Sequence, residues 1–209
     1  MVSLVPVRIV ISIVVLCVVA IISGVLWVTS SADFEKKQTY FPAEFVKMGQ
    51  YTSEEHNFII SYPLPHEVIE HSPDAYAVAT LSGQTVLPTA VIRVLKNSEG
   101  VAFEKYALQQ AINICESGTQ EYSIVCTDTQ NVRPSMTDSG IQGIELYLQE
   151  EYMDSVTNKS IQKTTKGPFF AYPLTQQEII LIYPPISQQP AEINRSAVHI
   201  IAETLKISQ

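Results

Sequence analysis

The sequence predicts an α+β fold: an antiparallel sheet flanked by helices, an α-β-α sandwich, after one N-terminal transmembrane helix. Three observations predict it. Short segments of alternating or β-branched character recur between His56 and Tyr183, with hairpin-length links from Gly140 onward. Two stretches, near Ala102 and Ala191, switch to a helical period. One long apolar run stands near the amino terminus. The chain has 209 residues, 46% of them apolar, with a formal net charge of -8. This composition excludes wholesale disorder. Its acidic balance excludes a nucleic-acid partner, which requires a basic footprint to meet phosphates.

From Ile9 to Val28 only Ser12, Ser23 and Gly24 interrupt the apolar run, and no charge occurs between Arg8 and Asp33. About 20 helical residues span roughly 30 Å, the thickness of a hydrocarbon core. Trp27 lies near the far end, where an aromatic ring favours the interface. The run exceeds the ~7–15 residues of a signal-peptide core, which favours a retained signal-anchor. Ser30-Ser31-Ala32 keeps a cleaved signal open as the alternative. The expected organisation is an anchor over 1–29, a juxtamembrane stalk over 30–53 and an extracytoplasmic domain over 54–209. Lys36, Lys37 and Lys47 after the span oppose that orientation on a strict count of positive charge. The short N-terminal flank and the cysteines discussed below favour it. The expected location is therefore the cytoplasmic membrane, single-pass, with membrane lipid contacting the Ile9–Val28 helix.

The domain's elements follow in order. His56–Tyr62 reads as a strand ended by Pro63 and Pro65, which cannot donate to a ladder. His66–Asp74 reads as a loop. Ala75–Leu81 is a short strand before a Ser82-Gly83 turn, and Ala90–Lys96 is rich in β-branched residues. Phe103, Ala107 and Ala111 repeat at helical spacing, which predicts an amphipathic helix over Ala102–Ile114. Tyr122–Thr127 is a strand, and Asp128–Ser139, with Pro134, is a connecting loop. Gly140–Tyr152 is the longest strand, with Ile144, Leu146 and Leu148 on one face. Ile161–Thr165, Pro168–Tyr172 and Glu178–Tyr183 complete the sheet. Ile193, Ala197, Ile200, Ile201, Leu205 and Ile207 form the stripe of a final helix over Ala191–Ile207.

This order of elements resembles the Mog1/PsbP-like α-β-α sandwich family. The matching pieces are Phe58-Ile59-Ile60-Ser61-Tyr62-Pro63, the Gly143-centred start of the long strand, and the amphipathic helix that follows Glu178–Tyr183. The resemblance spans roughly Glu54 to Lys206 and implies a membrane-anchored bacterial member. Members bind the oxygen-evolving complex of photosystem II or a small GTPase, and no motif in this chain carries either role across. What the resemblance implies is a binding or accessory domain.

Cys115 and Cys126 give the best local site signal. One follows the first helix, the other ends the next strand, and Gly118 between them allows a reversal. They read as a disulfide or as two buried thiols; their spacing matches neither a zinc knuckle nor a redox Cys-x-x-Cys motif. His66, Glu67, Glu70 and His71 cluster without metal-site order and read as a solvated loop. Asp128 and Asp138 lack the spacing of a calcium loop. Glu145, Glu150 and Glu151 would matter to a hydrolase only if two of them faced one cleft. No nucleophile elbow, phosphate loop or dinucleotide fingerprint occurs, so no catalytic, metal or cofactor residue is assigned. The expected function is a membrane-anchored, extracytoplasmic binding or accessory domain that assists protein assembly at the cell envelope. Its partner would be an envelope protein. The alternative is an envelope hydrolase using an unrecognised carboxylate or His pair.

Overall fold

The computed structural model of the chain describes residues 47–82, 85–117, 123–129, 131–153, 160–186 and 192–208. Thirteen elements lie within them. The strands β1 (Met48–Ser53), β2 (Phe58–Pro63) and β11 (Lys206–Ile207) form a small sheet with β2 in the middle. The remaining strands are β3 (Glu67–Ser72), β4 (Ala75–Ser82), β5 (Thr85–Lys96), β6 (Ser123–Asp128), β7 (Arg133–Met136), β8 (Gln142–Met153), β9 (Ser160–Pro173) and β10 (Glu178–Tyr183). They form an antiparallel eight-stranded sheet in the order β3-β4-β5-β10-β9-β8-β6, with β7 paired to β8. The helices are α1 (Phe103–Glu116) and α2 (Glu192–Glu203).

Strand periodicity assigns the two faces of the large sheet. Ile92, Phe170, Tyr172, Ile180 and Ile182 face one way, into a core closed by Val198, Ile201 and Leu205 and by Phe58 and Ile60 of the small sheet. Ile144, Leu146, Leu148, Phe169, Ala171 and Leu181 face the other way, beneath Ala107, Ala111 and Ile114 of α1. The central strand β10 is apolar on both faces, which is why Glu178–Tyr183 reads as a continuous apolar run rather than an alternating one. Ala107 and Ala111 are fully buried, and their small side chains let the α1 backbone approach the sheet closely. Gly143 is required for a similar reason. A Cβ there would overlap the Ala171 carbonyl and the Tyr172 ring of the neighbouring strand.

The antiparallel sheet between helical layers agrees with the sequence; several boundaries do not. Glu67–Ser72, expected as a loop, is strand β3. Pro65 and Pro73 bracket it, and its Glu and His side chains sit exposed on an edge strand, so no apolar period betrays it. Arg133–Met136 is a strand despite Pro134, because β7 pairs only with β8 among the described strands and its other edge makes no demand for an N–H. Met48–Ser53, expected in the stalk, pairs in register with β2. The final helix stops at Glu203 rather than Ile207. The Thr204 hydroxyl bonds back to Ile200 O at 2.9 Å and across to Ser61 of β2. Lys206 and Ile207 then pair with Ile59 and Phe58.

The membrane reading requires correction. Among the described residues no helix is long and apolar enough to cross a membrane. α1 and α2 have 14 and 12 residues. They reach only about 21 and 18 Å against a core of ~30 Å. Each also lays its apolar side on the sheet rather than presenting it to lipid. The fold is thus corrected to the sandwich alone. The transmembrane helix, the signal-anchor, the lipid partner and the single-pass location at the cytoplasmic membrane find no support among the described residues. The Ile9–Val28 run, with Trp27, lies outside the described residues.

Candidate functional site: a groove between α1 and β7

A cavity of about 870 Å³ lies where the start of α1 faces β7 and the start of β8. Local chemistry fixes both walls. On one side, Asn97 closes the turn into α1 by two bonds with Val101, Nδ2 donating to O at 2.6 Å and Oδ1 accepting from N at 3.1 Å. The Tyr106 hydroxyl donates to Lys96 O at 2.7 Å and holds the first turn of α1 against β5. On the other side, the tight turn from β7 to β8 is closed by Gly140 N–H to Thr137 O at 2.9 Å, with Gly140 at φ +86. Asp138 N–H donates to Glu203 O, and the Ser139 hydroxyl to Leu205 O, so this turn is tied to the end of α2.

Register decides what the groove presents. Pro134 pairs with Ile144 and Met136 with Gln142, so these residues share the α1 face of the sheet, and Val132 falls in step with them. Arg133 and Ser135 alternate to the other side of the strand, where Ser135 Oγ meets Tyr172 OH at 2.8 Å, yet both still contribute to the lining of the cavity at the strand edge. The groove wall is therefore an apolar stripe of Val132, Pro134 and Met136, facing Phe103 and Glu104 of α1 and closed below by Ile144 and Pro173. Met136, at 64%, is the most exposed large apolar side chain among the described residues, and with Val132 it forms a patch rather than a lone exposed side chain. Glu104 is the carboxylate on this side, at the exposed start of α1.

Elsewhere the polar clusters read as structural. Cys115 and Cys126 are joined as a disulfide that ties the last turn of α1 to β6. Cys126 N–H also donates to Glu116 Oε1 at 3.3 Å. The three glutamates of β8 do not share a cleft. Glu150 lies on the α1 face, 1% exposed, with Oε2 3.3 Å from Lys166 Nζ and accepting from Thr164 Oγ1 at 2.8 Å. Lys166 donates further to Ile186 O. Glu151 points to the other face and pairs with the exposed Lys163 at 2.5 Å. Glu145 accepts from the Tyr147 hydroxyl at 2.8 Å and lies 4.0 Å from His199 Nε2. Burial, then the hydrogen bond and charge of Glu145, hold the Tyr147 hydroxyl well above the ordinary phenol range. Burial pushes His199 below its ordinary value, against the attraction of Glu145, and its ring packs edge-on to Phe170.

The histidines and aspartates of the sequence reading fall apart in space. His56 Nε2 lies 3.1 Å from both Asp74 Oδ1 and Pro73 O, while Ser53 Oγ accepts from His56 N–H and bonds the Tyr76 hydroxyl. This arrangement staples the small sheet to the β3–β4 turn. His66 Nδ1 bonds Pro63 O, and His71 is exposed on β3. Asp128 sits on β6, and Asp138 in the turn after β7. Among the described residues no group of three or more His, Cys, Asp or Glu is placed to hold a metal ion. The hydrolase alternative calls for a carboxylate or His pair in one cleft; of the glutamates it names, Glu145 lies near His199, while Glu150 and Glu151 point to opposite faces of the sheet. Sequence reading missed the groove because Pro134 and the flanking aspartates hid β7. The signal it overlooked was the period-two spacing of Val132, Pro134 and Met136.

An α+β sandwich with an open, mainly apolar groove is what fold and geometry define. No family model and no curated protein matches the chain. Solved structures similar in part include the following two. The solution structure of cyanobacterial PsbP (CyanoP) from Synechocystis sp. PCC 6803 shares 8% identity at a TM-score of 0.46, over 79% of this chain and 95% of that one. The crystal structure of the Saccharomyces cerevisiae Ran-binding protein Mog1p shares 9% identity at a TM-score of 0.45, over 78% and 96%. At these values the expected place as a membrane-anchored member of the Mog1/PsbP-like family is corrected to a resemblance, and neither structure lends this chain a partner.

Proposed function

We propose that this domain is a protein-binding or accessory module that takes an extended segment of a partner protein into the groove between α1 and β7. The observation that carries the reading is the exposed Val132–Pro134–Met136 stripe facing Phe103 across an open cavity of about 870 Å³. Burying such side chains against a partner contributes roughly 25 cal/mol per Å² of apolar surface removed from water, before the cost of association. Pro134 leaves one position of the outer edge of β7 without an N–H, so recognition runs through side chains more than through strand addition. Met136 suits this role, since its thioether chain adapts to irregular apolar surfaces. Glu104 and Arg133 both line the groove and offset each other, so it is the net charge of -8 on the whole chain that favours an apolar segment flanked by Lys or Arg.

The test is selection from a random peptide library on the full chain, followed by binding of the enriched peptides to Met136→Asp. The expected outcome is enrichment of apolar peptides with a basic flank and loss of at least ~tenfold in affinity in the variant. Enriched peptides that bind the variant equally well would overturn the reading, as would an absence of enrichment.

A further inference from the structure

At Met136 an oxidisable side chain, high exposure and the groove wall coincide. Met136 pairs with Gln142 at the end of β7 and is 64% exposed, against 38% for Met48 and a half-buried Met153. A thioether is the soft, oxidisable group among the apolar side chains, and exposure sets how readily an oxidant reaches it. Cys115 and Cys126 are joined to each other, so neither offers a free thiol to take the oxidant first. The surroundings of Met136 make a change at its sulfur matter. Val132, Pro134, Phe103 and Ile144 line the same cavity with apolar side chains, and Pro134 lacks even a backbone N–H. The Ser135 hydroxyl is engaged with Tyr172 OH, and Arg133 Nε donates to Asn131. An oxygen on the Met136 sulfur therefore meets mainly apolar walls when a partner segment closes over it.

We propose that Met136 is a reversible oxidation site that turns the groove off, an inference that rests on the binding reading above. The oxidant class is a peroxide. A lone pair of the Met136 sulfur attacks one oxygen of hydrogen peroxide, an S–O bond forms and the O–O bond breaks. The departing hydroxide takes the proton from the transferred oxygen and leaves as water. The sulfur loses two electrons and the peroxide gains them. The product, methionine sulfoxide, replaces an adaptable apolar side chain by a polar one. Burying that S–O dipole against an apolar segment without a donor opposes binding. Methionine sulfoxide reductases reverse the step: a dithiol is oxidised to its disulfide, the sulfoxide returns to the thioether, and the oxygen leaves as water.

The experiment treats the full chain with hydrogen peroxide, removes the oxidant and reads two quantities. Mass analysis of proteolytic fragments follows the added oxygen at each methionine. Affinity is then measured for a peptide enriched on the untreated chain and free of Met, Cys and Trp. The expected result is oxidation of Met136 ahead of Met48 and Met153, with a loss of at least ~tenfold in affinity. Both methionine sulfoxide reductases, with dithiothreitol, should restore it. Met136→Leu, compared with its own untreated sample, should keep its affinity through the treatment, whereas Met48→Leu should lose it as the wild type does. A chain oxidised at Met136 that binds as before would overturn the proposal. So would an equal loss in Met136→Leu, or reaction of Met48 first. Each of these failures leaves binding to the untreated chain intact. Failure of the binding reading shows earlier, as a library that enriches no peptide on the untreated chain, and it removes the switch as well.

Discussion

β6 and β7 pair with the same edge of β8 and are held in opposite ways. β6 lies along the second half of β8, where Cys126 is bridged to α1 and the buried Glu150–Lys166 pair stands in the next positions of the ladder. β7 lies along the first half with four residues, one of them a proline, and exposes Met136, with Val132 exposed just before it. The same strand thus has a closed half that holds α1 in place and an open half that leaves a groove beside α1. The difference teaches that the covalent and ionic constraints of this edge are concentrated away from the binding surface. Stability and binding should therefore separate on mutation.

The largest effect breaks the closed half. Lys166→Met leaves Glu150 buried and uncompensated, and unfolding in urea should show a loss of about 3–5 kcal/mol. Replacing both, Glu150→Leu with Lys166→Met, should recover most of it, since a well-packed apolar pair avoids the desolvation of two ions. If the single variant costs no more than the double, the pair is not the constraint described. Removing the bridge with Cys115→Ala and Cys126→Ala together should cost about 2–4 kcal/mol, because the short closed loop no longer restricts the unfolded chain. Reduction of the wild type should match that loss, and a mismatch would place the effect in packing instead.

A smaller effect sharpens the open half. His199, on α2 across from Glu145, has its value lowered in the folded state. Below the unfolded value of about 6.5 the unfolded chain binds the proton more readily, so His199 makes stability fall as pH drops through that point. Glu203 is raised by burial and by Asp138, so near the carboxylate range it contributes the opposite slope. The comparison is therefore between wild type and His199→Gln, whose loss of stability between neutral and mildly acidic pH should be shallower. An identical slope would remove His199 from the account. The smallest stability effect belongs to the groove itself. Met136→Asp should change unfolding by no more than about 0.5 kcal/mol, as expected of an exposed position.

Much of the fold was legible because its signals are local. Ile144, Leu146 and Leu148 alternate along β8, and Phe103, Ala107 and Ala111 repeat along α1, so period alone placed both elements. β3 and β7 escaped because edge strands shed the apolar alternation that marks a half-buried strand, and each has prolines in or around it. The glutamates of β8 illustrate a second limit. Glu150 and Glu151 are adjacent and chemically alike, yet one is buried against Lys166 and the other meets Lys163 at the surface. Strand pairing decides this, since Thr164 and Lys163 of β9 lie opposite them, and that register is not written in either segment alone. The groove is likewise a product of pairing: Met136 becomes a groove wall only when β7 docks on Gln142–Glu145 beneath α1.

The most direct test of the binding account is the ε-methyl resonance of Met136 in the full chain, titrated with an apolar, basic-flanked peptide enriched on the wild type. The account predicts that Met136 and the neighbouring Ile144 methyls shift together with bound fraction, while Ile182, in the core on the far face of the sheet, stays still. Saturable binding that moves methyls elsewhere and leaves Met136 unchanged would contradict it.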